Sequence, residues 1–173
     1  GDFGLTYGFR ASLPMYFENV PEDVLKQLPE WTEDSFPGIL PNVVSGRIAN
    51  CFDLGAANFT VDSACASGLT ATYLGVKEIL SGNATMAIVG AADALQNPHG
   101  FLCFAKTSAL TKTGRPKPFD AEADGICISE GMGAVILKRR DLAERDGDRI
   151  YAVIRGVGSS SDGKGKSLTA PRT

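Results

Sequence analysis

Between residues 66 and 80, apolar side chains recur at Ala66, Leu69, Tyr73, Val76 and Leu80, in steps of 3, 4, 3 and 4. That period marks one face of an amphipathic helix. Ser81-Gly82-Asn83 ends it, with Gly82 placed to take the left-handed conformation beyond the last turn. Immediately upstream, Asn58-Phe59-Thr60-Val61-Asp62 reads as a short buried strand and Ser63-Ala64-Cys65 as the turn into the helix. Downstream, the run from Ala84 to Ala91 is almost continuously apolar and bounded by turns, the pattern of a strand buried on both faces. Strand, helix and strand in close succession predict a βαβ unit.

The rest of the chain is less periodic. Residues 1–20 carry Phe3, Tyr7, Phe9, Tyr16 and Phe17 without a clear repeat. Pro21 to Leu28 reads as a short helix, with acids at its start and Pro29 as its stop. Residues 29–42 read as loop, and Asn42–Cys51 as a helix. Residues 93–125, with Pro98, Pro116 and Pro118, read as mostly irregular. Gly133–Leu137 and Tyr151–Val157 read as strands flanking a helix at Arg140–Arg145, and residues 159–173 form a polar, Gly/Ser-rich tail. No repeat and no linker divides the chain, so no second domain is expected.

Composition changes this picture by exclusion. Lys+Arg 17 against Asp+Glu 20 gives 17 − 20 = −3, so the chain lacks the basic footprint of a general nucleic-acid binder. No apolar run approaches the ~18 residues of a membrane span. The start, Gly1-Asp2-Phe3-Gly4, has neither the basic nor the apolar part of a signal peptide and lacks Met, so it reads as the interior of a longer protein. Glycine is abundant, 20 of 173 residues, or about 12% against a usual ~7%. Histidine occurs once, at His99.

The cysteines, Cys51, Cys65, Cys103 and Cys127, include no C-x-x-C pair and no neighbouring histidine, which argues against a zinc site. Without a secretion signal, a disulfide framework is not expected and a cytoplasmic setting is. Cys51, Cys103 and Cys127 read as small buried hydrophobes. Cys65 differs, because it falls where a strand turns into a helix. The free N–H groups and partial positive charge of a helix start favour a thiolate there. The small residues Ser63, Ala64, Ala66, Ser67 and Gly68 leave room for a bulky thioester. The geometry is that of a nucleophile elbow without the G-x-S-x-G spelling, and a tightly packed core cysteine is the alternative.

Val61-Asp62-Ser63-Ala64-Cys65-Ala66-Ser67-Gly68-Leu69 resembles the active-site cysteine motif of β-ketoacyl synthases. Further segments match that family in order: Val44–Asn50 its preceding helix, Gly114–Gly125 its arginine–proline–phenylalanine–aspartate loop, Ser129–Gly131 with Val135–Lys138 the following strand, and Asp146–Gly156 the next. The resemblance covers about residues 38–171 and is nearest to ketosynthase domains of iterative polyketide, polyunsaturated-fatty-acid and glycolipid synthases. Residues 1–37 resemble the family less and read as a subfamily insertion.

The resemblance implies an α/β, thiolase-like fold, of which residues 1–173 would be a partial N-terminal half, a mixed sheet with packed helices. It implies an acyltransferase that performs decarboxylative Claisen condensation without metal or redox cofactor. An acyl group carried on the phosphopantetheine of an acyl carrier protein would pass to Cys65, whose own N–H would form half of an oxyanion hole. Malonyl-carrier protein would then lose carbon dioxide and attack the thioester. Phe104, in the family's post-strand loop, is a candidate wall of the acyl pocket, and reads equally well as a core phenylalanine. Expected partners are the carrier protein, the C-terminal half of the domain, and a second copy paired through residues 84–91. The family's two decarboxylation histidines lie in its C-terminal half, in motifs absent here. His99, in Asn97-Pro98-His99-Gly100, matches neither and reads as a loop or surface imidazole. The isolated chain is therefore expected to be inactive in condensation. A non-catalytic dimerisation fragment is the alternative. Glutamine at position 65 would have indicated a decarboxylating loading domain, but cysteine is present.

Other constellations read weakly. Asp120-x-Glu122-x-Asp124-Gly125 opens like a calcium loop, but Gly131 stands where its bidentate Glu should be. Gly158 to Gly165 approaches a phosphate-binding loop but fails at the Ser/Thr position, and Pro171 argues against the helix such a loop needs. The charged run from Arg139 to Arg149 reads as a solvated helix face.

Overall fold

The computed structural model describes residues 2–94 and 96–164. Its elements are helices α1 (Asp2–Tyr16), α2 (Glu22–Lys26), α3 (Ser35–Ile39) and α4 (Asn42–Cys51), a 3₁₀ turn at Ala64–Ala66, helix α5 (Ser67–Leu80), strand β1 (Met86–Asp93), helix α6 (Pro98–Lys106), strand β2 (Gly131–Lys138) and helix α7 (Arg140–Asp146). Strands β1 and β2 are hydrogen-bonded neighbours in a two-stranded sheet. The chain divides into two compact units, one formed by residues 1–60 with 92–133, the other by 61–91 with 134–173. No helix among the described residues is long and apolar enough to cross a membrane.

In the first unit, α1 forms without a periodic pattern because its contacts hold it. Leu13 is buried. The Arg10 guanidinium donates to the carbonyls of Leu25 and Leu28, at 2.7 and 2.6 Å, and so closes the C-terminal end of α2. The Tyr7 and Trp31 rings lie 5.0 Å apart. Helix α3 falls inside the stretch expected to be loop. Its start is tied by the buried Ser35, whose hydroxyl accepts from Thr32 N–H at 2.8 Å. Helix α4 spans the expected residues, Asn42–Cys51.

The second unit rests on α5 against β1, and here the packed face is offset from the expected one, of which Tyr73 and Val76 are half-buried. Leu69 and Leu80, in the periodic apolar stripe, are 79% and 72% exposed. The packed side carries Gly68, Gly75 and the buried Ile79. A Cβ on Gly68 would lie 3.1 Å from Ala91 Cβ, and one on Gly75 would lie 2.6 Å from Val89 Cγ2 and 3.3 Å from Leu137 Cδ1. Glycines let the helix backbone approach the strand, and hydrophobic periodicity does not register them because they have no side chain to count. Gly82 adopts φ +77° past the end of α5, as expected.

Three other expectations are corrected. Asn58–Asp62 forms no strand, and Phe59 is exposed. Tyr151–Val157 forms none either. A strand exists only with a ladder partner, and among the described residues neither segment has one, so the βαβ unit is reduced to its helix and second strand. Strand β1 is present, but only Val89 along it is buried, at 7%, while Met86 and Ile88 stay open. Residues 93–125 are mostly irregular, as expected, but they hold one helix, α6, that was not expected. Asn97 accepts from Gly100 N–H at 2.7 Å through its side chain and caps α6, with Pro98 in the first turn. That Asn-Pro pair was the sequence signal for the helix. Of the polar tail, residues 165–173 lie outside the described residues.

Helix α7 is solvated and charged, as its sequence predicted. Arg140 pairs with Glu144 at 2.7 Å, Arg139 pairs with Asp141, and Lys138 reaches Asp146 at 2.7 Å and also Asp148. The Arg145 guanidinium, then the Lys138 ammonium, hold the Asp146 carboxyl well below the usual carboxylate range. These pairs are exposed and contribute little to stability.

The tight approach of α5 to β1 sets a mutational expectation. Gly75→Val forces branched carbons into Val89 and Leu137, and lowers stability by about 1–3 kcal/mol. Denaturant unfolding measures this, and an unchanged midpoint would contradict the packing.

Candidate functional site

Cys65 sits in the middle of the 3₁₀ turn Ala64–Ala66, directly before α5. It is exposed. The turn into a helix is as expected, but the cysteine stands just ahead of the first turn of α5 and is not inside it. Local polar groups build this elbow. Asp62 Oδ1 accepts from Ala64 N–H at 2.9 Å, a short side-chain turn typical of Asp. The Ser67 hydroxyl accepts from Ser63 N–H at 3.0 Å and donates to Ala64 O at 2.7 Å. The Ser63 and Thr70 hydroxyls lie 2.7 Å apart, tying the elbow to the second turn of α5.

The backbone around the sulfur is conformationally unusual. Ala64 has φ +49°, in the left-handed region that residues other than glycine seldom occupy. Ala66 N–H donates to Ser63 O at 3.1 Å, and Ser67 N–H donates to Ala64 O. The amides on either side of Cys65 are thus used locally, while the Cys65 N–H has no acceptor among the described residues. A free amide beside an exposed thiol is one donor of the kind that stabilises an oxyanion. The sequence showed Cys65 and its small neighbours. The Ser63–Thr70 and Ser67 bonds were not legible, because hydroxyls at spacings of 4 and 7 occur in any helix start.

Phe104 lies on α6, 37% exposed, in the first unit, and Cys65 belongs to the second. The other cysteines depart from expectation. Cys51 and Cys103 are exposed and Cys127 is half-buried, so none is a closed core residue. Each lies on a surface that no described element covers. His99 is exposed as expected, but it lies on helix α6 and not in a loop. It is also a neighbour of a cysteine after all, with Nε2 3.7 Å from Cys103 Sγ. A spacing of four residues on one helix brings the two side chains to the same face.

The acids of the loop 111–126 bond within the loop itself. Asp124 accepts from the Thr111 hydroxyl at 2.6 Å and from Lys112 N–H at 3.1 Å. The Thr111 bond chiefly holds its carboxyl below the ordinary value. Asp120 Oδ1 accepts from Glu122 N–H at 2.8 Å. Lys117 pairs with Glu122 across this loop at 3.5 Å. Gly125, at φ +149°, sits where a Cβ would meet Thr111 N at 2.5 Å, so the crossing is open to glycine alone.

The left-handed Ala64 yields a test of the elbow. Ala64→Val places a branched side chain at positive φ and costs about 1–2 kcal/mol, whereas Ala64→Gly is tolerated. Thermal unfolding of the two variants separates them, and equal midpoints would reject the strained elbow.

The sequence profile described as "Beta-ketoacyl synthase, N-terminal domain" matches residues 2–143, so the match includes residues 2–37. The chain is 42% identical over 143 residues to a polyunsaturated fatty acid synthase of Thraustochytrium sp., covering 83% of this chain and 5% of that protein. It is 40% identical over 137 residues to erythronolide synthase EryA2 of Saccharopolyspora erythraea, covering 79% of this chain and 5% of that one. Among solved structures, the ketosynthase from module 6 of the bacillaene synthase of Bacillus subtilis matches with a TM-score of 0.75 at 32% identity, over 83% of this chain and 26% of its own. A type II acyl-carrier protein in complex with its ketosynthase matches with a TM-score of 0.64 at 25% identity, over 69% of this chain and 31% of its own. The chain thus spans a small part of each of these relatives.

Proposed function

The chain belongs to the β-ketoacyl synthase family and carries part of the N-terminal half of the thiolase-like ketosynthase fold, and from that premise we propose that Cys65 is the acyl-accepting nucleophile of a condensing domain. The observation that carries this reading is the elbow: an exposed thiol beside an amide that has no acceptor among the described residues. The sulfur attacks the carbonyl of an acyl-phosphopantetheine thioester. A new S–C bond forms at Cys65, the Cys65 N–H donates to the developing oxyanion, and the pantetheine thiol leaves. A malonyl-carrier protein then supplies the carbanion that takes the acyl group from Cys65, with loss of carbon dioxide. Carrier-protein delivery is supported by the solved relative in complex with its acyl-carrier protein. Phe104 is proposed as a wall of the acyl pocket. No step needs a metal or a redox cofactor.

Decarboxylation requires two histidines, and this sequence holds one, in a motif that matches neither family pattern. We expect the 173-residue polypeptide to form no carbon–carbon bond. In an intact synthase that contains this chain, acyl loading maps by mass spectrometry to Cys65, and Cys65→Ala abolishes both the acyl adduct and the condensed product. An acyl-pantetheine thioester acylates Cys65 in preference to Cys103. Robust condensation by the polypeptide alone, or loading that survives Cys65→Ala, would overturn the assignment.

A second reading is favoured by one observation. Among the described residues β1 pairs only with β2, so its other edge is open. An open edge with the apolar sequence Met86-Ala87-Ile88-Val89 invites a second copy. The chain would then act as a pairing element through residues 84–91. Sedimentation velocity is expected to show dimers or larger species, and a monodisperse monomer would reject this.

A further inference from the structure

The His99–Cys103 pair lies outside the site built around Cys65. Both residues are on α6, both are exposed, and Nε2 stands 3.7 Å from Sγ. That is within sulfur hydrogen-bond reach. His99 is the chain's single histidine, and among the described residues the cysteine in hydrogen-bond reach of it is Cys103. Two donors fall short of the three or four protein ligands of a zinc site, and chemistry between the two side chains is the better-supported use.

We propose that Cys103 is a second nucleophilic thiol, assisted by His99 as general base, and that it is a modification site for soft carbon electrophiles with a good leaving group. With His99 protonated on Nδ1, Nε2 accepts the Cys103 thiol proton as sulfur attacks carbon. The S–C bond forms, the carbon–leaving-group bond breaks, the leaving group departs with its electron pair, and the imidazolium passes its proton to water. The substrate class follows from the surroundings. Inside α6 the Cys103 amide is committed to the carbonyl four residues earlier. It provides no oxyanion donor, so displacement at saturated carbon is favoured over attack on a thioester.

Cys51 supplies an internal reference, being exposed on α4 with no histidine near it in the sequence. The 173-residue chain is treated with iodoacetamide under pseudo-first-order conditions, and carbamidomethylation is timed at each cysteine by peptide mass spectrometry. His99→Gln is expected to lower the Cys103 rate relative to the Cys51 rate by about 3–10-fold, below the ~10²–10⁴ of an enclosed general base. The Cys51 rate itself stays constant, and far-ultraviolet circular dichroism checks that the variant retains its helices. If the variant alters both rates, His99→Asn is compared in the same ratio. A Cys103:Cys51 ratio unchanged by both substitutions would overturn the proposal.

Discussion

The close approach of α5 to β1 is the constraint on which the second unit depends. Gly68 and Gly75 bring the helix backbone so near Ala91 and Val89 that a single added carbon would meet them at 3.1 and 2.6 Å. Dispersion contacts at such range are individually weak but numerous, and they are lost over gaps of an ångström. The same contact positions the chemistry. Gly68 is three residues past Cys65, so packing Gly68 on Ala91 sets the elbow beside the end of β1. Asp62, Ser67 and Thr70 then hold the elbow's shape through bonds that do not depend on burial.

The sequence was legible where structure is local and opaque where it depends on partners. Helix α4, the body of α5, the stop at Gly82 and the charged α7 follow from neighbours a few residues apart, and each appears at its expected place. The Asn58–Asp62 and Tyr151–Val157 strands do not, because a ladder needs a partner that alternation along one segment cannot supply. The offset face of α5 has a different cause. Leu69, Tyr73, Val76 and Leu80 satisfy the helical period, but the strand is met by glycines. A pattern that scores large apolar side chains identifies a face fit for burial, and Leu69 and Leu80 remain exposed among the described residues.

The site was legible to a similar depth. Cys65 stands out from its turn and small neighbours, and the segment from Val61 to Leu69 resembles the family motif, with Ala66 and Gly68 where that motif usually has serines. The positive φ at Ala64 and the uncommitted Cys65 amide are properties of the backbone, and no residue identity announces them. Helix α6 was hidden by its prolines, although Asn97-Pro98 marks a start when read as a cap followed by a first-turn proline. Missing that helix also hid the adjacency of His99 and Cys103, since four residues mean contact only on a helix.

The two thiols have different groups beside them. Acyl transfer to sulfur needs a donor for the oxyanion and a group to handle the thiol proton. Cys65 has the donor in its own free amide, and in this chain it has no imidazole among its hydrogen-bond partners. Cys103 has the imidazole, and its amide is spent within α6. Reactions that build no oxyanion, such as displacement at saturated carbon, need only what Cys103 has. Reactions at a thioester carbonyl need what Cys65 has, together with a base that further residues must supply. Placement on the backbone, a tight turn before a helix against the interior of one, therefore gives two exposed cysteines of one chain different surroundings.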